Sequence, residues 1–81
     1  MSNFADHNLL LGILALQLDF ISRDQLVAAM QAWVFAKHRP LDEILSEQHA
    51  LQPDTRVLLA ALVAKHLEQH GNAPEKSIAA L

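Results

Sequence analysis

The stretch "LDEILSEQHALQPDTRVLL", residues 41–59, decides the fold because it repeats the pattern of "LGILALQLDFISRDQLVAA", residues 11–29. The two stretches align at a constant offset of 30 residues. The matching pairs are Leu11 with Leu41, Asp24 with Asp54, and Val27 with Val57. Each stretch has the apolar spacing of a helix, then a short turn, then the start of a second helix. The repeat therefore predicts a domain made of two helix–loop–helix units.

The composition restricts the size and the setting of the protein. A chain of 81 residues is expected to form one domain, 1–81, and a domain this small buries only about 60% of its unfolded surface. Because 52% of the residues are hydrophobic, we expect part of the apolar surface to meet a partner. The absence of cysteine excludes a disulfide framework and zinc sites built on cysteine, which favours a cytoplasmic location.

The charge distribution restricts the class of partner. A formal net charge of −3 argues against nucleic acid, because proteins that bind it normally carry a basic face. The apolar run at 9–16 is too short to cross a bilayer, and Asp6 lies where a signal peptide would be basic. We therefore expect a protein partner, with no nucleic acid and no membrane.

Polar capping residues mark the helices of the first unit. Asp6 is a candidate N-cap for the first helix. Ser22 followed by Gln25 is a capping-box pattern, which opens a second helix over about 23–38. We expect the first unit to span about 7–38.

Prolines mark the helices of the second unit and the tail. Pro40 and Pro53 both fit the first position of a helix, where a missing N–H costs nothing. Gly71 fits the residue that follows a helix end. We expect a second unit of about 39–71 and a C-terminal tail helix at 74–81. The predicted fold class is all-α, a compact bundle of four to five short helices.

The apolar stripes of these helices predict one core. The residues assigned to it are Leu14, Ile21, Leu26, Met30, Trp33, Ile44, Leu45, Leu51, Leu58 and Leu62. The fourth helix is apolar on nearly all sides, so we expect an outer face with Leu59 and Val63 to meet the partner. Phe35 lies roughly opposite Trp33 on the second helix. We expect Phe35 and the nearby Arg39 to contact the partner as well, since aromatics and arginines are common binding hot spots.

No arrangement of residues predicts catalysis, a cofactor or a metal. His66 and His70 have the i,i+4 spacing of a helical metal pair, but Glu68 lies on the opposite face and no third ligand is evident. Ser22 and Ser46 have no histidine and acid in a recognisable triad pattern. With two glycines, the chain has no phosphate-binding loop. We expect this chain not to be an enzyme.

The segments "NLLLGILALQLDFIS", "LVAAMQAWVFAKHRPLDEIL" and "KHLEQHGNAPEKSIAAL" resemble the N-terminal domain of planctomycete serine/threonine protein kinases. The resemblance extends from about His7 to Leu81. It implies a non-catalytic module that is fused to, or cut from, a kinase whose catalytic domain has a Gly-rich lobe.

The repeat also resembles, more distantly, the duplicated motif in the N-terminal domains of type II secretion and type IV pilus ATPases, some of which bind cyclic di-GMP. Leu11, Gly12 and Leu41 match positions of that motif. Asp19 and His49 stand where the motif has its second glycine. The aliphatic skeleton is retained and the ligand-contacting positions largely are not. As an alternative, this resemblance implies a degenerate cyclic-dinucleotide-sensing domain.

The function that we expect is regulatory. The domain would form a homodimer or dock on the attached kinase catalytic domain. Self-association would raise the effective concentration of one active site near the activation loop of another. A free-standing adaptor that pairs with similar helical domains is a further alternative.

Overall fold

The computed structural model describes residues 3–81, and every regular element in this range is an α-helix. The helices are α1 (Asn3–Gln17), α2 (Arg23–Val34), α3 (Leu41–Glu47), α4 (Pro53–Gln69) and α5 (Pro74–Ala79). The predicted all-α bundle of short helices is confirmed. Between residues 3 and 81, no helix combines the length and the apolar character needed to cross a membrane.

The two units of the repeat are interlocked. α1 and α3, the first helices of the two units, contact each other. α2 packs mainly on α3 and α4 packs mainly on α1, so the second helix of each unit lies on the first helix of the other. α5 lies across α1 and α4. Because each unit buries its apolar face against the other, neither unit has a complete core alone.

The repeat is also present in the pattern of burial. Several pairs of residues separated by 30 positions are buried in both units. These pairs are Leu11 and Leu41, Leu14 and Ile44, Ala15 and Leu45, Ile21 and Leu51, Ala29 and Leu59, and Trp33 and Val63. The core is therefore made from the same positions of two similar units.

Residues with a left-handed backbone end α1 and α3 in the same way. Asp19 has a φ of 61° and His49 a φ of 60°, a conformation that is uncommon for residues with a side chain. In α1 the N–H of Phe20 donates to the carbonyl of Ala15 at 2.9 Å, and the equivalent bond 30 residues later ends α3, also at 2.9 Å. These bonds define the Schellman helix ending. Gly71, with a φ of 69°, follows the end of α4 as predicted.

The predicted start of α2 is confirmed by its capping box. The N–H of Gln25 donates to Ser22 Oγ at 3.1 Å, and the N–H of Ser22 donates to Gln25 Oε1 at 2.8 Å. Pro53 occupies the first turn of α4, also as predicted. Local sequence therefore fixes both of these helix starts.

Other helix boundaries differ from the prediction. α1 begins before Asp6, which lies in its first turn and does not cap it. α2 ends at Val34, and Pro40 is the N-cap of α3 rather than its first helical residue. The indole N–H of Trp33 donates to the carbonyl of Arg39 at 3.1 Å. This bond folds the chain back after Val34, so α2 is shorter than the predicted 23–38.

Most of the predicted core is confirmed. The predicted residues that are buried are Leu14, Ile21, Trp33, Ile44, Leu45 and Leu51. Leu26 and Met30 are partly buried and pack against this core.

The prediction for α4 is wrong about which face turns inward. Leu58 is 50% exposed and Leu62 also lies at the surface, so neither belongs to the core. Leu59 and Val63, which were predicted to face a partner, are fully buried. Because α4 is apolar on several sides, its own pattern does not select a face. Packing against α1 selects the face with Leu59 and Val63, and Leu67 one turn later also packs on the core.

Candidate interaction surface

Arg39 holds the turn between α2 and α3 in place. Its Nε donates to Glu43 Oε1 at 3.1 Å, and a terminal nitrogen pairs with both Glu43 and Glu47. Hydrogen bonds to Glu47 and Glu43 raise the pKa of Arg39, and the hydrogen bond from Arg39 lowers the pKa of the Glu47 carboxyl. The backbone carbonyl of Arg39 accepts a hydrogen bond from the Trp33 indole N–H. The charge of Arg39 is therefore already paired within the protein, and its predicted contact with a partner stays a prediction.

Phe35 extends into solvent from the end of α2. It is the C-cap residue of the helix, and its side chain is 90% exposed, which confirms the predicted outward orientation. Val34 beside it is also exposed. Lys37 and His38 follow in the same turn and are exposed, and neither forms an ion pair with any residue that the structure describes. The turn thus presents an aromatic ring beside positive charge.

A second exposed apolar area lies on α4. Val57 is 72% exposed, and its neighbours Leu58 and Leu62 are exposed on the same helix. Val27, the residue at the equivalent position of the first unit, is 48% exposed. A few aliphatic side chains at the surface are ordinary, but adjacent ones indicate an interaction site.

A pocket of about 610 Å³ opens between α3 and α4 beside Val57. Leu51, Val57 and Ala60 supply apolar lining. Asp42 and Arg56 also line the pocket, and Arg56 Nε lies 2.9 Å from Asp42 Oδ2 in an ion pair. The volume falls in the range of about 300–1,000 Å³ that is typical of binding pockets. We call this feature the α3–α4 pocket.

The first unit has an aliphatic contact at the equivalent place. In the 30-residue repeat, Gly12 corresponds to Asp42, and Leu26 corresponds to Arg56. A Cβ atom added to Gly12 would lie 2.9 Å from Leu26 Cδ1, so the leucine side chain rests directly on the backbone of α1. In the second unit a carboxylate and a guanidinium occupy these positions, and the Arg56 side chain is 40% exposed. The α3–α4 pocket therefore lies at a place where the two units have diverged.

Asn8 is a buried polar residue that sequence analysis did not single out. It is 2% exposed on α1. Its Oδ1 accepts the N–H of Leu41 at 2.8 Å, and its Nδ2 donates to the carbonyl of Phe4 at 3.0 Å. Since the N-cap Pro40 has no side-chain hydrogen bond, Asn8 satisfies the start of α3 from another helix. In the sequence, Asn8 stands out only as an amide side chain within an apolar helix. This does not identify the N–H of Leu41 as its hydrogen-bond partner.

The rings of His66 and His70 are in contact, with their centroids 4.6 Å apart and their planes tilted by 42°. No three residues of the His, Cys, Asp or Glu types in the range 3–81 are grouped so that they could hold a metal. The Nδ1 atom of His66 is buried and has no hydrogen-bond partner. The carbonyl of His66 accepts Ser77 Oγ at 3.3 Å, which fixes α5 against α4. These contacts give the histidine pair a packing role.

No family model, curated protein or solved structure matches this chain.

Proposed function

We propose that this chain is a non-catalytic protein-interaction module that associates with further copies of itself. The observation that carries the proposal is the set of exposed apolar side chains on α4, which are Val57, Leu58 and Leu62. Val57 also lines the α3–α4 pocket. Burial of such side chains contributes a favourable free energy of about 25 cal/mol for each Å² of apolar surface removed from water. A neighbouring cavity lets a partner side chain increase the buried area.

The proposed role is regulation of a bacterial serine/threonine protein kinase. Its support is the sequence resemblance between about His7 and Leu81 and the kinase N-terminal domains. A self-associating module would bring two attached catalytic domains together and so raise their effective local concentration. The test is the coding sequence on both sides of this segment. A neighbouring kinase domain with a Gly-rich loop and the lysine of the third kinase strand would support the role. An unrelated neighbouring domain would contradict it.

An alternative is a degenerate cyclic-dinucleotide sensor. The observation that favours it is the left-handed backbone at Asp19 and His49, the two positions where the resembling ATPase motif has glycine. Glycine adopts this conformation at no steric cost, which is consistent with a shared ancestral turn. Calorimetric titration with cyclic di-GMP tests this alternative. A saturable heat of binding would support it, and no heat at millimolar ligand would exclude it.

Self-association is tested by sedimentation equilibrium over a wide concentration series. We expect the weight-average mass of the wild type to rise above the monomer mass of 9.0 kDa as concentration increases. The variant Val57→Asp places a charge in the proposed contact and should stay monomeric. Because Val57 is largely exposed, this change should leave folding intact.

The matched control is Val27→Asp, which makes the same change at the equivalent position of the first unit. We expect this variant to associate like the wild type. A wild type that remains a monomer at the highest concentration contradicts the proposed function. Equal weakening by both variants would mean that general charge, and not the α4 surface, controls association.

A further inference from the structure

We infer that Phe35 of one copy inserts into the α3–α4 pocket of a second copy. The inference rests on the proposed self-association and specifies the contact that forms it. Burial of the exposed Phe35 ring requires an apolar cavity, and the α3–α4 pocket beside Val57 is one. The occupant of the pocket is therefore a second copy of this protein.

The turn that carries Phe35 is already fixed before any partner arrives. On one side, Ala36 N donates to the carbonyl of Trp33 at 2.9 Å, and on the other, Arg39 N donates to the carbonyl of Ala36 at 3.0 Å. The Trp33 indole and the two glutamates bound by Arg39 hold the far end of the turn. Because the backbone is ordered in advance, little conformational entropy is lost when the ring is buried.

The α3–α4 pocket has the size and the lining for an aromatic ring. Its volume of about 610 Å³ exceeds what one side chain fills, and Leu51, Val57 and Ala60 offer apolar surface. In the first unit, the place equivalent to the Asp42–Arg56 ion pair is covered by Leu26 lying on Gly12. In the second unit the Asp42–Arg56 ion pair forms part of the pocket wall, and the apolar lining beside it can receive an apolar group from outside.

The charges around the two features are complementary. Lys37 and His38 follow Phe35, and neither has an ion-pair partner among residues 3–81. On the other side, Asp54 is exposed next to the pocket-lining Pro53. Within residues 3–81, its carboxylate accepts the N–H of Thr55 at 2.9 Å and forms no ion pair. Insertion of the ring would bring an unpaired cation toward an unpaired carboxylate, which favours this orientation.

Phe35 is 90% exposed, so its ring does not occupy the α3–α4 pocket of its own molecule. The contact joins two different surfaces, Phe35 on one copy and the pocket on another. It forms either reciprocally in a closed dimer or head to tail in a longer assembly. Sedimentation distinguishes the two arrangements, because only the head-to-tail arrangement gives species larger than a dimer.

A complementation experiment tests the contact. Phe35→Ser removes the ring and keeps the pocket, whereas Val57→Asp disrupts the pocket and keeps the ring. Each variant alone should be monomeric in sedimentation experiments. An equimolar mixture should form a one-to-one complex and nothing larger, because only one productive contact remains.

Phe35→Ser should weaken association by about 30-fold or more, the loss expected for a buried aromatic hot spot. Val34→Ser is the matched control, since it removes an adjacent exposed apolar side chain, and it should weaken association much less. Circular dichroism of each variant verifies that the helices are retained.

The outcomes separate the two proposals. If the wild type is monomeric, both the proposed function and the insertion fail. If the wild type associates and Val57→Asp abolishes this while Phe35→Ser does not, the proposed function stands and the insertion is wrong. A mixture of the two variants that remains monomeric also overturns the insertion.

Discussion

Replacing two neighbouring leucines of α4 tests the orientation of this helix. Leu59 is fully buried in the core, whereas Leu58 is 50% exposed. The substitution Leu59→Ala removes a buried side chain and leaves a cavity, which should lower the free energy of unfolding by about 2.7–5.0 kcal/mol. Leu58→Ala removes a half-exposed side chain, with a cost of about 1 kcal/mol. Since both changes occur in the same helix interior, the difference in helix propensity between leucine and alanine cancels.

Urea denaturation followed by helical circular dichroism measures both losses. With a common denaturant slope, the shift of each midpoint gives the change in the free energy of unfolding. Domains have a total stability of only about 5–15 kcal/mol, so Leu59→Ala should lose a large part of it. A variant with Leu59→Val, a smaller truncation, provides a measurable midpoint if the alanine variant is unfolded.

The comparison between the two leucines decides the question. If Leu58→Ala costs as much as Leu59→Ala, or more, then the described packing of α4 on α1 is incorrect. The helix would instead bury the face that its sequence alone suggested. If Leu59→Ala lowers the free energy of unfolding by at least about 1.5 kcal/mol more than Leu58→Ala does, the described orientation of α4 is supported. Leu58 is then available to a partner.

Further predictions concern single polar residues. Asn8→Ala should cost about 1–3 kcal/mol in urea denaturation, because the N–H of Leu41 at the start of α3 loses its acceptor, and a loss below about 0.5 kcal/mol would contradict this role. His49→Gly should stabilise the protein by up to about 1 kcal/mol, because glycine relieves the left-handed backbone, and an unchanged or lower melting temperature would count against it. Arg39 lowers the pKa of Glu47 in the folded state, so their pairing stabilises the protein above the ordinary glutamate pKa and is lost as pH falls through the lowered value. The stability difference between wild type and Glu47→Gln should therefore shrink on acidification, and a difference that does not change with pH would refute the linkage.

Local signals in the sequence determined the start of α2 and both ends of α4. The capping box of Ser22 and Gln25, the proline at the start of α4 and Gly71 after its end all act within a few residues. Such signals are readable because the atoms that satisfy a helix end belong to the same short segment. The exposure of Phe35 was also predictable, from its position opposite Trp33 on α2.

The 30-residue repeat also indicates which face of α4 is buried. Trp33 was assigned to the core, and the residue 30 positions later is Val63, which is buried at the equivalent place. Ala29 corresponds in the same way to Leu59. Transferring the buried face of α2 to α4 across the repeat would have identified the correct face. The amphipathic pattern of α2 is clear enough to provide this reference, and that of α4 is not.

The sequence by itself determined the helices, their order and the doubling of the unit, because these depend on contacts between residues close along the chain. Only the tertiary structure decided where α2 ends and that a pocket lies beside Val57. It also supplied the packing that buries one side of α4, a choice that the pattern of α4 taken alone leaves open. Each of these depends on a contact that reaches beyond a single helix: α4 with α1, Trp33 of α2 with the Arg39 carbonyl in the following turn, and Asp42 of α3 with Arg56 of α4. A helix with apolar residues on several sides can be buried on any of them, so the neighbouring helix makes the choice.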